Sequence, residues 1–233
     1  MDLDSADQRT LQLLNDIQTR LSAALDRLRE PGEPALRYRL HCADFINHSV
    51  NGFAHLRASE RIRASQILIR PTIECYFRMR AVQEHPELLY GIALQEFQEE
   101  KKLLKAAMDP DAAAIAALEE KLTAFRQSFH ATYPHLPVRE VAISAYDAAT
   151  VIQLQPYHDL HYQLYSKYTH ALLRNRTGAH APESTAEDMR TMCFCALAAL
   201  ETVPGCDSEY VESTRRLLQS YEFIPKGEGS PAT

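Results

Sequence analysis

The chain has 233 residues, of which 45% are hydrophobic and 24% charged, with a net charge of −6. This is the balance of a globular protein long enough to bury a real core. The acidic excess argues against a broad positive field, which nonspecific binding to DNA or to an anionic membrane needs. Only 7 glycines, set among many Ala, Leu, Glu, Arg and Gln, favour helix over sheet.

The polar start MDLDSADQRT is no secretory signal. The longest apolar run, Met192 to Leu200, is too short to span a bilayer. A first helix is predicted from Ser5 to Arg29, with Leu11, Leu14, Leu21, Leu25 and Leu28 at helical spacing. Pro31 to Pro34 stops it. A second runs from about Ala35 to Leu56, with Leu40, Phe45, Ile46, Phe53 and Leu56 as its apolar positions. A third begins near Ser59 and continues to about Gln83, with Pro71 kinking or breaking it. Pro86 opens a fourth, whose acidic-then-basic run from Glu96 to Lys105 fits a solvated face. Asp109 and Pro110 cap a fifth, which ends near Ala131. After a loop from Tyr133 to Pro137, a short helix is expected from Val138 to Thr150.

The next stretch, Tyr157 to His180, is dense in Tyr and His, and Pro156 suits its first turn. As a helix it would line up Asp159, Gln163, Ser166 and His170, beside an apolar face of Leu160, Leu164 and Ala171. A polar loop follows, Asn175 to Glu183. Ser184 or Thr185 with Glu187 or Asp188 resembles a helix start, and that helix ends at Pro204-Gly205. Asp207 or Ser208 caps the last helix, through Phe223. The expectation is an all-α protein of about eight helices kinked at Pro71, one domain over 1–224 and a disordered tail over 225–233.

Cys42, Cys75, Cys193, Cys195 and Cys206 form no C-x-x-C pair and show no zinc spacing. They read as reduced, buried thiols of a cytoplasmic protein. P-loop, dinucleotide-binding and G-x-S-x-G motifs are absent. Three patterns remain that bear on chemistry. His41, Asp44, His48, Asn51 and His55 share one face of the second helix, either as exposed or hydrogen-bonded side chains or as metal ligands with His158 or His161. The metal patterns Glu-x-x-His and H-E-x-x-H are missing, so no metal and no cofactor is expected. Arg70 and Glu74 flank Pro71 at i and i+4 among apolar neighbours, as a structural clamp or as part of a ligand site for a small anion. Arg174-Asn175 followed by His180 resembles the motif of HEPN-type ribonucleases. That resemblance implies a dimer cutting RNA without metal, with His180 moving protons and Arg174 steadying the phosphate. Arg80 to His85 meets the same spacing.

Three segments together distantly resemble an uncharacterised, all-helical bacterial family of domains of unknown function. They are Arg70-Pro71-Thr72-Ile73-Glu74 preceded by His48-Ser49, the stretch Val138 to Ala142, and Tyr162 to His170. The resemblance covers roughly His41 to Ala171; Pro71 and Thr169 depart from its pattern. It implies a buried polar cluster of Arg70, Glu74, Ser166 and His170, with Tyr165 beside it and His48 near. By the genes its relatives neighbour, it also implies a role in a bacterial defence or stress system. The function expected is a helical binding or interaction protein, dimeric, with a protein partner or a small anion held in that cluster. The alternative is a HEPN-like endoribonuclease, with His170, His180 and Arg174 as its catalytic groups and RNA as its substrate.

Overall fold

In the computed structural model the described residues are 5–28, 32–106, 111–138, 140–160 and 185–220. Every regular element among them is a helix. They are α1 (Ser5–Leu25), α2 (Pro34–Ala58), α3 (Ile62–Gln66), α4 (Ile69–Glu84), α5 (Leu89–Ala106), α6 (Ala112–Thr132) and α7 (Ala145–Val151). Residues 155–160 are helical and are labelled α8. Then follow α9 (Thr185–Thr202) and α10 (Ser208–Ser220), and a single 3-10 turn, Pro86–Leu88, precedes α5. No described helix is long and apolar enough to cross a membrane.

By compactness the chain divides into two units. One comprises Met1–Leu28, Leu40–Tyr76 and Asp159–Thr233; the other comprises Arg29–Arg39 and Phe77–His158. In the first, α1 lies along α9, and α10 packs on α9 as well. The spacing of Leu14, Ile17 and Leu21 puts all three on one face of α1, where they are wholly buried. Met189, Met192, Cys193 and Ala196 of α9 are buried too. Between α1 and α2 runs a polar seam. Gln18 Nε2 and Ser22 Oγ donate to Asn47 Oδ1 at 3.2 and 3.1 Å, and Asn47 Nδ2 lies 3.0 Å from Ser22 Oγ. At the edge, Tyr210 of α10 donates to Asp16 of α1 at 2.6 Å, with the Arg20 guanidinium 3.9 Å from its ring centre.

In the second unit α5 and α6 pair. The Tyr90 and Phe125 rings stack with centroids 6.4 Å apart, and Phe129 lies against Tyr90 and Tyr133. Tyr38 and Arg78 both donate to Glu96 Oε1, at 2.8 and 3.2 Å. Gly91 of α5 sits where the chain after α6 presses closest. The Ile143 amide donates to the Gly91 carbonyl at 2.9 Å. A Cβ on residue 91 would lie 2.6 Å from Ile143 Cδ1 and 2.7 Å from the Val141 carbonyl oxygen.

Helix boundaries follow the capping chemistry. Glu33 accepts from the amides of Ala35 and Leu36, with Pro34 as the first residue of α2. Asp207 accepts from the Tyr210 amide at the start of α10. The cap of α6 is Asp111, which accepts from the Ala114 amide at 2.9 Å; Asp109 and Pro110 lie outside the described residues. The interruption called for by Pro71 falls just upstream, at Ile67 and Leu68, and Pro71 occupies the first turn of α4. There its missing N–H has no helical partner to lose, and its ring meets no carbonyl of a preceding turn. The helix expected from Val138 to Thr150 is shorter than predicted. Ser144 and Asp147 form a reciprocal capping box that starts α7 at Ala145. The Ile143 amide is committed to Gly91, and Val141 is 70% exposed.

Two helices end on a non-glycine residue in the left-handed region, Glu60 (φ 57°) and Gln153 (φ 59°). After α2 the Arg61 amide reaches the Leu56 carbonyl at 2.8 Å and the Glu60 amide reaches Arg57 at 3.0 Å. After α7 the pairs are Leu154 to Ala149 and Gln153 to Thr150. Both are the paired bonds of a Schellman cap. Glycine is the usual residue at that position, so the sequence offered no signal there.

Two outcomes follow from this packing. Gly91→Ala should destabilise the protein by about 1–3 kcal/mol, because the added carbon meets a backbone oxygen as well as a side chain; urea denaturation reads this directly. Burial pushes the Cys195 thiol from 9.0 up to about 12. The folded state therefore favours the protonated thiol, and this contribution is complete below about pH 9 and lost as pH rises toward 12. Melting temperature should decline over that window, and less steeply in Cys195→Ala.

Candidate functional site

The apolar stripe of α2 runs through Ile46, Val50 and Phe53, all fully buried. The next residue on that stripe is Arg57, not a hydrophobe. The stripe of α9 formed by Met192, Cys195 and Ala199 begins with Asp188 in the same way. These two side chains form an ion pair, Arg57 Nη2 to Asp188 Oδ2, with 1% and 0% of their surfaces exposed. Gln66 Nε2, at the end of α3, donates to the same oxygen at 3.1 Å. The Phe53 ring centre lies 5.0 Å from the guanidinium carbon.

Arg57 stands in the last turn of α2 and Asp188 in the first turn of α9. Each charge therefore faces the helix end that favours it. Two of the guanidinium nitrogens, Nε and Nη1, are buried without an acceptor among the described residues. The pair carries a desolvation cost that its own attraction must offset.

Arg70 and Glu74 lie in the same unit, at the start of α4. Arg70 Nε donates to Glu74 Oε1 at 2.9 Å, and the side chains are 29% and 28% exposed. Their flanks differ. Ile69, Thr72 and Ile73 are buried, whereas Ile67 is 42% exposed. The pair thus sits at the rim of the core, where solvent reaches both groups.

The histidine line of α2 is a solvated face. His41, Asp44, His48, Asn51 and His55 are all exposed, and His48 lies 3.5 Å from Asp44. Phe45, placed by periodicity among the apolar positions, is 42% exposed. In the second unit His158 is buried between the rings of Phe77 and Tyr146, at 5.9 and 5.2 Å. Among the described residues no group of three or more His, Cys, Asp or Glu side chains is placed to hold a metal ion. Arg80 donates to Glu84 at 2.7 Å and His85 lies 3.3 Å from Glu87, so both ends of that Arg-to-His spacing are engaged with carboxylates. Tyr165, Ser166, His170, Arg174 and His180 fall outside the described residues. In α8 Leu160, expected on the apolar face, is 52% exposed.

In the sequence Asp188 reads only as a helix-start residue, and Arg57 and Gln66 belong to no motif. The available signal was a charged residue at a position where helical spacing demands an apolar one. It occurs once near the end of α2 and once at the start of α9.

A model of a family of unknown function, DUF5677, matches residues 40–182. The match covers more than half of the chain, and the chain belongs to that family. It takes in Arg57, Gln66, Arg70 and Glu74 and stops short of Asp188. No curated protein and no solved structure matches the chain.

Removing either half of the buried pair, as in Arg57→Ala or Asp188→Ala, should cost about 3–5 kcal/mol in chemical denaturation. Replacing both together, Arg57→Met with Asp188→Leu, should recover most of that loss. Arg70→Ala, which breaks a partly exposed pair, should cost less than about 1 kcal/mol.

Proposed function

We propose that this protein is a helical binding or interaction module of a bacterial defence or stress system, working as a cytoplasmic homodimer. Its ligand-binding cluster comprises Arg70 and Glu74 with Tyr165, Ser166 and His170, and His48 near. The cluster fixes neighbouring helices or holds a small anion, and a protein partner reads its state.

The observation that carries this reading is the placement of Arg70 and Glu74. They form an ion pair at the start of α4 while each keeps over a quarter of its side-chain surface in solvent. A pair that only fixes packing can be shut off from solvent, as Arg57 and Asp188 are. At the rim, a guanidinium oriented by a carboxylate can be reached by an anion without unfolding the helix. The net charge of −6 and the absence of a membrane-crossing helix among the described residues agree with a module that works in solution on specific contacts.

The test is expression of wild type, Arg70→Ala, His170→Ala and His180→Ala in a bacterial host, with growth and RNA integrity followed after induction. Each protein is also melted in inorganic phosphate and in chloride at equal ionic strength. The binding reading expects intact RNA and a phosphate-dependent rise in melting temperature that Arg70→Ala loses. RNA fragmentation by wild type, abolished in a folded His170→Ala or His180→Ala, would establish the HEPN-like endoribonuclease instead.

A further inference from the structure

Two of the five cysteines approach one another through space. Cys42 is buried on α2, and Cys75 lies on α4, one residue beyond Glu74, with its side chain partly open to solvent. The Cys75 sulfur is 3.6 Å from the backbone carbonyl oxygen of Cys42. Cys42 Cβ is two bonds from that carbonyl carbon, so the Cys75 thiol lies against the Cys42 residue itself, across 33 positions of sequence. A disulfide needs Cβ atoms within roughly 3.5–4.5 Å; the backbones set that distance, so closing the bond draws on relative movement of the two helices as well as rotation of the thiols. The other thiols contrast with this pair. Cys193 and Cys195 are both buried on α9, two positions apart, so their side chains point to different sides of one helix. Cys206 lies beyond the end of α9, beside the Glu201 carbonyl.

We propose that Cys75 and Cys42 form a reversible, redox-sensitive disulfide that staples α2 to α4, with hydrogen peroxide or a related peroxide as its oxidant. Cys75 reacts first, because it is the member of the pair that solvent reaches. Its thiolate sulfur attacks one peroxide oxygen, the O–O bond breaks, and the departing hydroxide takes up a proton to become water. Cys75 is left as a sulfenic acid. The Cys42 sulfur then attacks the Cys75 sulfur. The S–S bond forms, the S–O bond breaks, and a second water leaves with the Cys42 proton. Two thiols lose two electrons and one peroxide is reduced to two waters. A dithiol reductant reverses the step by thiol exchange.

The staple joins the helix that bears His48 to the helix that bears Arg70 and Glu74. It would fix their relative register under oxidation, whatever ligand that region takes.

The experiment treats the intact protein with a small excess of hydrogen peroxide, quenches it by alkylation, and maps the peptides by mass spectrometry before and after reduction. The expected result is an intramolecular Cys42–Cys75 cross-linked peptide with the mass of two hydrogens lost, restored by reductant. Cys193 and Cys195 should remain unoxidised and become alkylated once the protein is unfolded. Cys42→Ser should stop the reaction at a Cys75 sulfenic acid, which dimedone traps, and Cys75→Ser should leave Cys42 unoxidised. Melts of both serine variants show whether they are folded. A folded wild type that yields only over-oxidised Cys75, or only disulfides between two chains, or a link to another cysteine, overturns the proposal.

Discussion

A full positive charge and a full negative charge meet inside the first unit, out of reach of solvent. Arg57 and Asp188 come from positions 131 apart in sequence, and neither is tolerable in the core without the other. The approach of the start of α9 to the end of α2 is therefore specified more sharply than apolar packing alone would require. Leu, Ile and Met side chains can slide and repack with modest loss. A guanidinium and a carboxylate cannot move apart by even a few ångströms in a buried setting. Gln66 adds α3 to the same point, so three elements converge on one carboxylate oxygen.

That constraint also gives meaning to the left-handed turn after α2. The Schellman cap at Glu60 ends the helix three residues beyond Arg57 and turns the chain toward α3, which delivers Gln66. The break at Ile67 and Leu68 then starts α4, where Pro71 is accommodated and Arg70 and Glu74 come to the rim. One short segment, from Arg57 to Glu74, thus carries one member of the buried ion pair and both members of a partly exposed one. The first fixes the fold. The second lies within the segment matched by the family, whereas Asp188 of the first lies beyond it.

Much of the helical pattern was legible in the sequence because apolar spacing and caps agree. Leu14, Ile17 and Leu21 are buried as a stripe, and Asp207 marks a helix start by its own chemistry. Boundaries were less legible where competing signals overlapped. The stretch from Val138 to Thr150 carries apolar residues at plausible spacing, yet the Ser144–Asp147 box and the Ile143–Gly91 bond start the helix late. The break before Pro71 was expected at the proline, but a proline is best placed in a first turn, so the interruption moved upstream. Phe45 shows the limit of periodicity, since a ring near a stripe edge can lie outside the core. For the candidate site, the Arg70–Glu74 pair was legible from i,i+4 spacing and its apolar neighbours. Arg57 and Asp188 were not, because charge reads as surface until tertiary contacts are known.

The seam of Gln18, Ser22 and Asn47 has a consequence for how α1 is seated. Its hydrophobic face of Leu14, Ile17 and Leu21 offers the same kind of contact at every turn, so a shift by one turn would still bury apolar surface. The amide and hydroxyl groups do not repeat in that way. Asn47 has one oxygen and one amide nitrogen to share, and both are engaged by residues four apart on α1. Slipping the helix by a turn would leave the buried Asn47 amide without those partners. The seam thus works as a key cut for one register. Because α1 lies before the family segment begins at residue 40, a helix outside that segment is addressed to a single seat on it by three small polar side chains.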